Sequence, residues 1–188
     1  MVEYGIVHGR FQGLHMGHME YFLEAKKRCR NLIIGITNYE PYLNEDIKGL
    51  KDKERTKLSS NPFTYYERYK IIEGSLIEGG VSRDEFDIVP FPIENPEHIR
   101  NFVPENAKCF ITIYDDWGRQ KESRLKEAVF ETEVMWERDY NDRFSRGGEV
   151  REKIRNGGDW KRLVPDFMYR YVKDNKIDER ISKNDPIF

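Results

Sequence analysis

Short unbroken apolar runs alternate with amphipathic stretches from the first residues of the chain onward. YGIVH (4–8) has the character of a buried strand, and the punctuated segment GRFQGLHMGH follows it at once. A helix is expected from about Gly17 to Arg30. It groups Met19, Phe22, Leu23 and Ala25 on one side, with Glu20, Glu24, Lys26, Lys27 and Arg28 elsewhere. LIIGIT (32–37) is the next strand. Residues 38–61 are polar and irregular, a length that in a compact domain points to a functional segment. Thr64 and Glu67 have capping-box spacing and open a helix that runs to Leu76, which Gly79-Gly80 ends. FDIVPFP (86–92) is expected as a strand, NPEHIRNFV as a short helix, CFITIY (109–114) as a strand, KESRLKEAV as a helix and FETEVMW as a strand. Two helical pieces, GEVREKIRNG and PDFMYRYVKD, come last. This alternation predicts an α/β fold, a doubly wound parallel sheet with helices on both faces and a helical C-terminal extension. Such sheets bind ligands beyond the carboxyl ends of their strands, and residues 9–18 lie there, directly after the first strand.

Composition narrows the classes. The chain has 188 residues, one domain's worth. Charged residues make up 35%, well above the usual quarter, yet 11 Phe, 11 Tyr and 3 Trp supply the material for a core. The formal charge of −2 leaves no global basic field, which argues against nucleic acid as a partner. No apolar run is long enough to span a membrane, and MVEYGIVHGR lacks the regions of a secretion signal. Cys29 and Cys109 do not make a disulfide scaffold, so a reducing cytoplasm is the expected compartment.

Three of the four histidines, His8, His15 and His18, fall in the first 18 residues. His15 and His18 are three apart at a helix start, so they can share a face, with Gly17 between them. A helix N-terminus offers unpaired N–H groups and partial positive charge, which attract anions. Gly9 and Gly13 permit a tight path, and Arg10 adds a permanent forked donor. Phosphoryl or nucleotidyl transfer suits such a site. A phosphate acceptor is already a nucleophile, and the protein has to position it and stabilise charge. His8, His15, His18 and Cys29 fit no standard zinc spacing, so no metal ligands are expected among them.

GRFQGLHMGH resembles the G-R-F-Q-P-x-H-x-G-H motif of nucleotidylyltransferases, most closely the archaeal-type nicotinamide-nucleotide (NMN) adenylyltransferases. NPFTYYER (61–68) resembles their D/N-P-F-T-x-x-E-R segment, RFSRGGEVREKI (143–154) their R-Y-S-G-T-E-V-R-R-x-M, and GGDWKRLVP (157–165) the G-x-W-x-x-L-V-P that follows. The likeness covers nearly the whole chain. It implies a single domain over 1–188, with a Rossmann-like core in 1–140 and the second motif and C-terminal helices in 141–188. It also implies transfer of AMP from ATP to nicotinamide or nicotinate mononucleotide, with Mg2+ arriving on the ATP. By position, His15, His18 and Arg151 are the implied catalytic residues. Gly9, Arg10, Phe11, Gln12, Gly17, Arg146 and Gly148 would line the ATP site, and His98, Asp115 and Trp117 the acceptor site. No metal ligands are implied. The family often forms homo-oligomers.

This chain departs from the pattern in four places. Gly13 replaces the motif proline, which is expected to loosen the loop. The second motif loses both hydroxyls, because Arg146 and Gly148 stand at those positions and Ser145 is displaced by one. The S-G-N-P segment is replaced by ITIYDDWGRQ. His98 stands where a tryptophan usually stacks on the nicotinamide. Residues 138–162 nonetheless carry eight Arg or Lys against five Asp or Glu, which suits a phosphate-binding edge. Trp136 and Trp160 look structural, and Arg68 is expected to pair with an acidic neighbour or to orient the long loop. The rival readings are transfer to another phosphate, such as phosphopantetheine or an alditol phosphate with CTP, and a nucleotide-binding module without catalysis.

Overall fold

The computed structural model describes residues 1–40, 57–114, 116–139 and 146–183. Five strands form one all-parallel sheet: β1 (Val2–Gly9), β2 (Cys29–Ile36), β3 (Phe86–Pro90), β4 (Lys108–Ile113) and β5 (Glu131–Glu137), in the order β3-β2-β1-β4-β5. The chain winds outward from β1 to β3, then returns and builds β4 and β5 on the other side. The order therefore reverses between β1 and β4. This is a Rossmann-like, doubly wound sheet.

Each face of the sheet buries its own core. On one face, α1 (Met16–Lys26) and α2 (Tyr65–Glu78) deliver Phe22, Ala25, Ile71, Ile72 and Leu76 against Val7, Ile34 and Phe110. On the other, α3 (Asp116–Glu127) and a 3-10 turn (Pro96–Asn101) deliver Leu125 and Ile99 against Ile6, Ile33 and Ile111. The alternation Ile6, Val7 along β1 sends one side chain to each core, which is why apolar residues stand side by side at the middle of the strand. Three further helices, α4 (Gly147–Arg155), α5 (Asp166–Asp174) and α6 (Ile177–Lys183), add Val150, Ile154, Trp160, Met168, Val172, Ile177 and Ile181 to the first core.

Several boundaries differ from the pattern-based expectation. The first helix ends at Lys26, not Arg30, because β2 starts at Cys29: Val2 pairs with Cys29, and the Cys29 side chain is buried where a Cβ on Gly5 would collide with it. Sheet pairing overrides the helical spacing there. The fourth crossover helix starts at Asp116 rather than at Lys121. Gly118 lets that helix lie against the Ile113 backbone. The chain end holds three helices, not two. Most of the irregular stretch 38–61 lies outside the described residues, with Leu58–Ser60 as a 3-10 turn.

Candidate active site

The loop after β1 is held in a shape that few residues adopt. Phe11 has φ +50 and Gly13 φ +89, both in the left-handed region. For Phe11 this costs of the order of 1–3 kcal/mol, and packing repays it. The Phe11 ring is buried, meets the edges of His18 (5.1 Å) and Phe22 (5.1 Å), and lies where any Cβ on Gly9 would strike it. Gly13 is not a loosened version of the motif proline. Proline is locked near φ −65°, and at +89° only glycine is comfortable. The glycine also admits close packing, because a Cβ there would lie 3.2 Å from the Gly147 carbonyl.

His15 caps α1 with extended backbone (φ −136). Its N–H donates to Nδ1 of His18 (3.3 Å), and the His18 N–H donates to the His15 carbonyl (2.8 Å). The imidazoles stack, centroids 3.6 Å apart at 22°. Because Nδ1 of His18 accepts, the neutral ring carries its proton on Nε2, as a donor. His15 is 9% exposed, and no acidic residue lies in the first turn of α1. Gly17 sits between the two histidines in that turn.

The second motif meets this loop directly. Arg146 caps α4, and Gly147 packs so tightly on the loop that a Cβ would sit 2.9 Å from the Gln12 carbonyl. Arg151 Nη1 donates to that carbonyl at 2.6 Å. Burial, then neighbouring Arg155, pushes the Arg151 guanidinium down to about 10, so it stays cationic at neutral pH. A Cβ on Gly148 would meet only the Arg151 guanidinium, so the space above the helix start is open. Two helix N-termini, two imidazoles, Arg10, Arg146 and Arg151 thus gather around one short loop, an arrangement suited to a polyphosphate.

Among the described residues, Arg68 pairs with no acidic side chain. It is 1% exposed, and its guanidinium donates to the carbonyls of Arg10 (2.8 Å), Thr37 (2.9 Å), Asn38 (2.9 Å) and Thr64 (3.3 Å). Burial pushes it down to about 9, and the carbonyls hold its charge. It fastens the loop after β1 to the loop after β2. The nearby carboxylate, Glu67, completes the capping box with Thr64 and pairs with Arg180 of α6 (2.7 Å), which also donates to the Pro62 carbonyl.

Gln12 lies deeper than the mouth of the site. It is 3% exposed, and its amide forms a reciprocal pair with the Phe63 peptide: Nε2 donates to Phe63 O and Oε1 accepts from Phe63 N, each at 2.9 Å. Residues 57–64 are gripped elsewhere too, by Asn38 on Asn61 and by Arg155 on the Ser59 carbonyl. The spacing of His15 and His18, and the resemblance for Arg151, point to the anion site; Arg68 holds the start of the long loop, the second of its two expected roles, whereas the Gln12 pairing with Phe63 emerges only from the structure. Arg68 left one legible trace: it occupies the apolar stripe of α2 with Ile71, Ile72 and Leu76.

The expected acceptor residues are less gathered. His98 sits on the 3-10 turn after β3, its side chain 62% exposed and 3.7 Å from the Glu97 carboxylate. Asp115 and the side chain of Trp117 lie outside the described residues. Trp136 lies on β5 and donates to the Tyr114 hydroxyl (2.8 Å), and Trp160 packs among the C-terminal helices. Among the described residues, no three His, Cys, Asp or Glu side chains come together as a group that could hold a metal ion, and no helix is long and apolar enough to cross a membrane.

Comparison with known proteins places this geometry. Residues 6–182 match the model of the family described as cytidylyltransferase-like. The chain is 47% identical to phosphonoformate cytidylyltransferase of Streptomyces viridochromogenes over 177 residues, covering 94% of each chain. It is 29% identical to nicotinamide-nucleotide adenylyltransferase of Methanothrix thermoacetophila over 189 residues, covering 96% of this chain and 97% of that one. Among solved structures, a bifunctional NMN adenylyltransferase/ADP ribose pyrophosphatase from Francisella tularensis superposes with a TM-score of 0.66 at 18% identity. That match covers 97% of this chain and 53% of the other, so this chain spans about half the length of the bifunctional protein. With the motif, the winding of the sheet and the paired histidines in agreement, the chain belongs to the cytidylyltransferase-like family of nucleotidylyltransferases.

Proposed function

We propose that this protein transfers a cytidylyl group from CTP to a small phosphonate, with phosphonoformate the first acceptor to test, and releases pyrophosphate. The observation that carries the reading is the 47% likeness to the Streptomyces viridochromogenes enzyme over 94% of both chains. The geometry supports the chemistry. An acceptor oxygen attacks the α-phosphorus, the bond from that phosphorus to the bridging oxygen breaks, and pyrophosphate leaves with the bond's electrons. Nε2–H of His18, with His15 beside it, would stabilise the charge on the α-phosphate oxygens. Arg151 would hold the departing pyrophosphate, with Arg10, Arg146 and the N–H groups of Gly147 and Gly148 around it. No base is needed, because the acceptor is already anionic. Magnesium would come with the triphosphate and neutralise part of its charge. His98, Asp115 and Trp117 are proposed for the acceptor side. In this reading the Gln12 side chain shapes the loop by pairing with Phe63, and its carbonyl orients Arg151.

A second reading, AMP transfer from ATP to NMN, is favoured by the full-length likeness to archaeal adenylyltransferases at 25–29% identity. Pyrophosphate release measured with CTP and ATP, each against phosphonoformate and NMN, separates the two. The CTP–phosphonoformate pair is expected to be fastest. A faster ATP–NMN pair would replace the first reading with the second. Nucleotide binding without pyrophosphate from any pair would point to a module without catalysis.

A further inference from the structure

The sheet carries a built-in gap at the point where its order reverses. The Gly9 carbonyl accepts from the Thr37 N–H (2.9 Å), so the odd residues of β1 bond β2 and the even residues bond β4. Pairing with β2 runs from Val2 to Gly9, but pairing with β4 is confined to Gly5↔Lys108 and Ile6↔Cys109. The next rung of that ladder would join the His8 N–H to the Phe110 carbonyl. The hydroxyl of Tyr21 stands between them instead. It accepts from the His8 N–H at 3.4 Å and donates to Phe110 O at 2.5 Å. Neither backbone group is left unsatisfied, yet the two strands are parted by the width of an oxygen atom.

A second irregularity lies on the other side of β4. Its register with β5 shifts between Ile111 and Thr112, so that Ile111 faces Val134 and Thr112 faces Trp136. Shifts of this kind bend a strand. The Trp136 ring meets Tyr21 edge-on at 6.4 Å, and its indole N–H donates to Tyr114 just past the end of β4. The carboxyl end of β4 is therefore drawn away from β1 by one device and held by another. In an open parallel sheet this is where ligands enter. Tyr21 also lies three residues after His18, on the same helix. The group that sets the gap is thus fixed to the group that meets the nucleotide.

We propose that Tyr21 is a positioning residue: its hydroxyl sets the width of the crevice between β1 and β4 and ties it to the helix that carries His18. This role rests on the reading of the site as a nucleotidylyltransferase centre. Tyr21 moves no proton. Burial raises its phenol well above the usual 10, so it remains a donor to Phe110 throughout the working range. Its effect falls on the alignment of acceptor oxygen with the α-phosphorus, where a misplacement of about 1 Å costs up to about 100-fold.

Tyr21→Phe is the test, since it keeps the ring and its contacts with Trp136 and Phe22 and removes only the oxygen. Two measurements are made on the full chain: a crystal structure of the variant and steady-state kinetics well below its melting temperature. The structure is expected to show the His8 N–H moved to within direct hydrogen-bond reach of the Phe110 carbonyl. The kinetics are expected to show kcat lowered by about tenfold, with KM for the nucleotide changed less than about twofold. A gap that keeps its width, or one that closes with kcat unchanged, would overturn the proposal. A loss confined to nucleotide KM would overturn it too, because the wedge would then act on binding rather than alignment. Failure of the functional reading looks different: the wild type itself would release no pyrophosphate in any pairing, and the role of Tyr21 would fall with it.

Discussion

The two sides of the crevice, the one proposed for the nucleotide and the one proposed for the acceptor, are built on different principles. On the nucleotide side, loop 9–15 is tied down by groups from distant parts of the chain: the buried guanidinium of Arg68, the Gln12–Phe63 peptide pairing, and Arg151 from the late helix α4. On the acceptor side, the connection from β3 to β4 is a 3-10 turn on which His98 stands exposed beside Glu97. The difference follows the chemistry. In the proposed reading, charge stabilisation at phosphorus requires donors fixed before the reaction begins, and the loop that leads to the imidazoles is anchored from several directions. An acceptor site has only to select a partner, and a short turn at the sheet's end can be varied without disturbing the anchored loop. The departures from the archaeal adenylyltransferase pattern include two here, His98 and the segment after β4.

This contrast can be broken by substitution. Arg68→Met keeps the apolar stem and removes every donor that Arg68 gives to the carbonyls of Arg10, Thr37 and Asn38, that of Thr37 in a buried contact. A loss of about 4 kcal/mol in urea unfolding is expected, and a loss below about 1 kcal/mol would show that the nucleotide side is not anchored as described. His18→Ala is expected to lower kcat by about 100-fold with the fold intact by circular dichroism, whereas near-normal turnover would remove the histidine mechanism. Gly13→Pro forces φ from the left-handed region to about −65°. A loss of about 2 kcal/mol in thermal unfolding is expected even though proline is the motif residue at this position, and a neutral outcome would mean the loop has two acceptable shapes. His98→Ala sharpens the other half of the comparison. Its effect should be the smallest, about a threefold rise in acceptor KM with nucleotide KM unchanged, and a large change in nucleotide KM would place the residue on the wrong side.

The order of strands and helices was legible because each strand carries a short apolar run and each crossover helix a periodic one. The capping box at Thr64–Glu67 forms as its spacing predicts. Boundaries differ where tertiary pairing outweighs local pattern, as at Cys29, and where a helix begins earlier than its periodic run, as at Asp116. The short helix α6 escaped notice because its seven residues bury only Ile177 and Ile181. Within the site, His15 and His18 were visible from spacing and Arg151 from resemblance, as residues proposed to meet phosphate. The particular contacts of Arg68, Gln12 and Tyr21 were not, since each holds backbone groups of another segment, and backbone leaves no signature in a sequence.

The clasp of Arg180 on Glu67 and on the Pro62 carbonyl joins residues 113 and 118 apart in the chain. During synthesis that clasp cannot form until α6 has left the ribosome. The sheet can assemble vectorially as its strands emerge, while the stretch around Phe63 that holds the loop after β1 waits for α6, so the nascent chain acquires its architecture before the support of its candidate site.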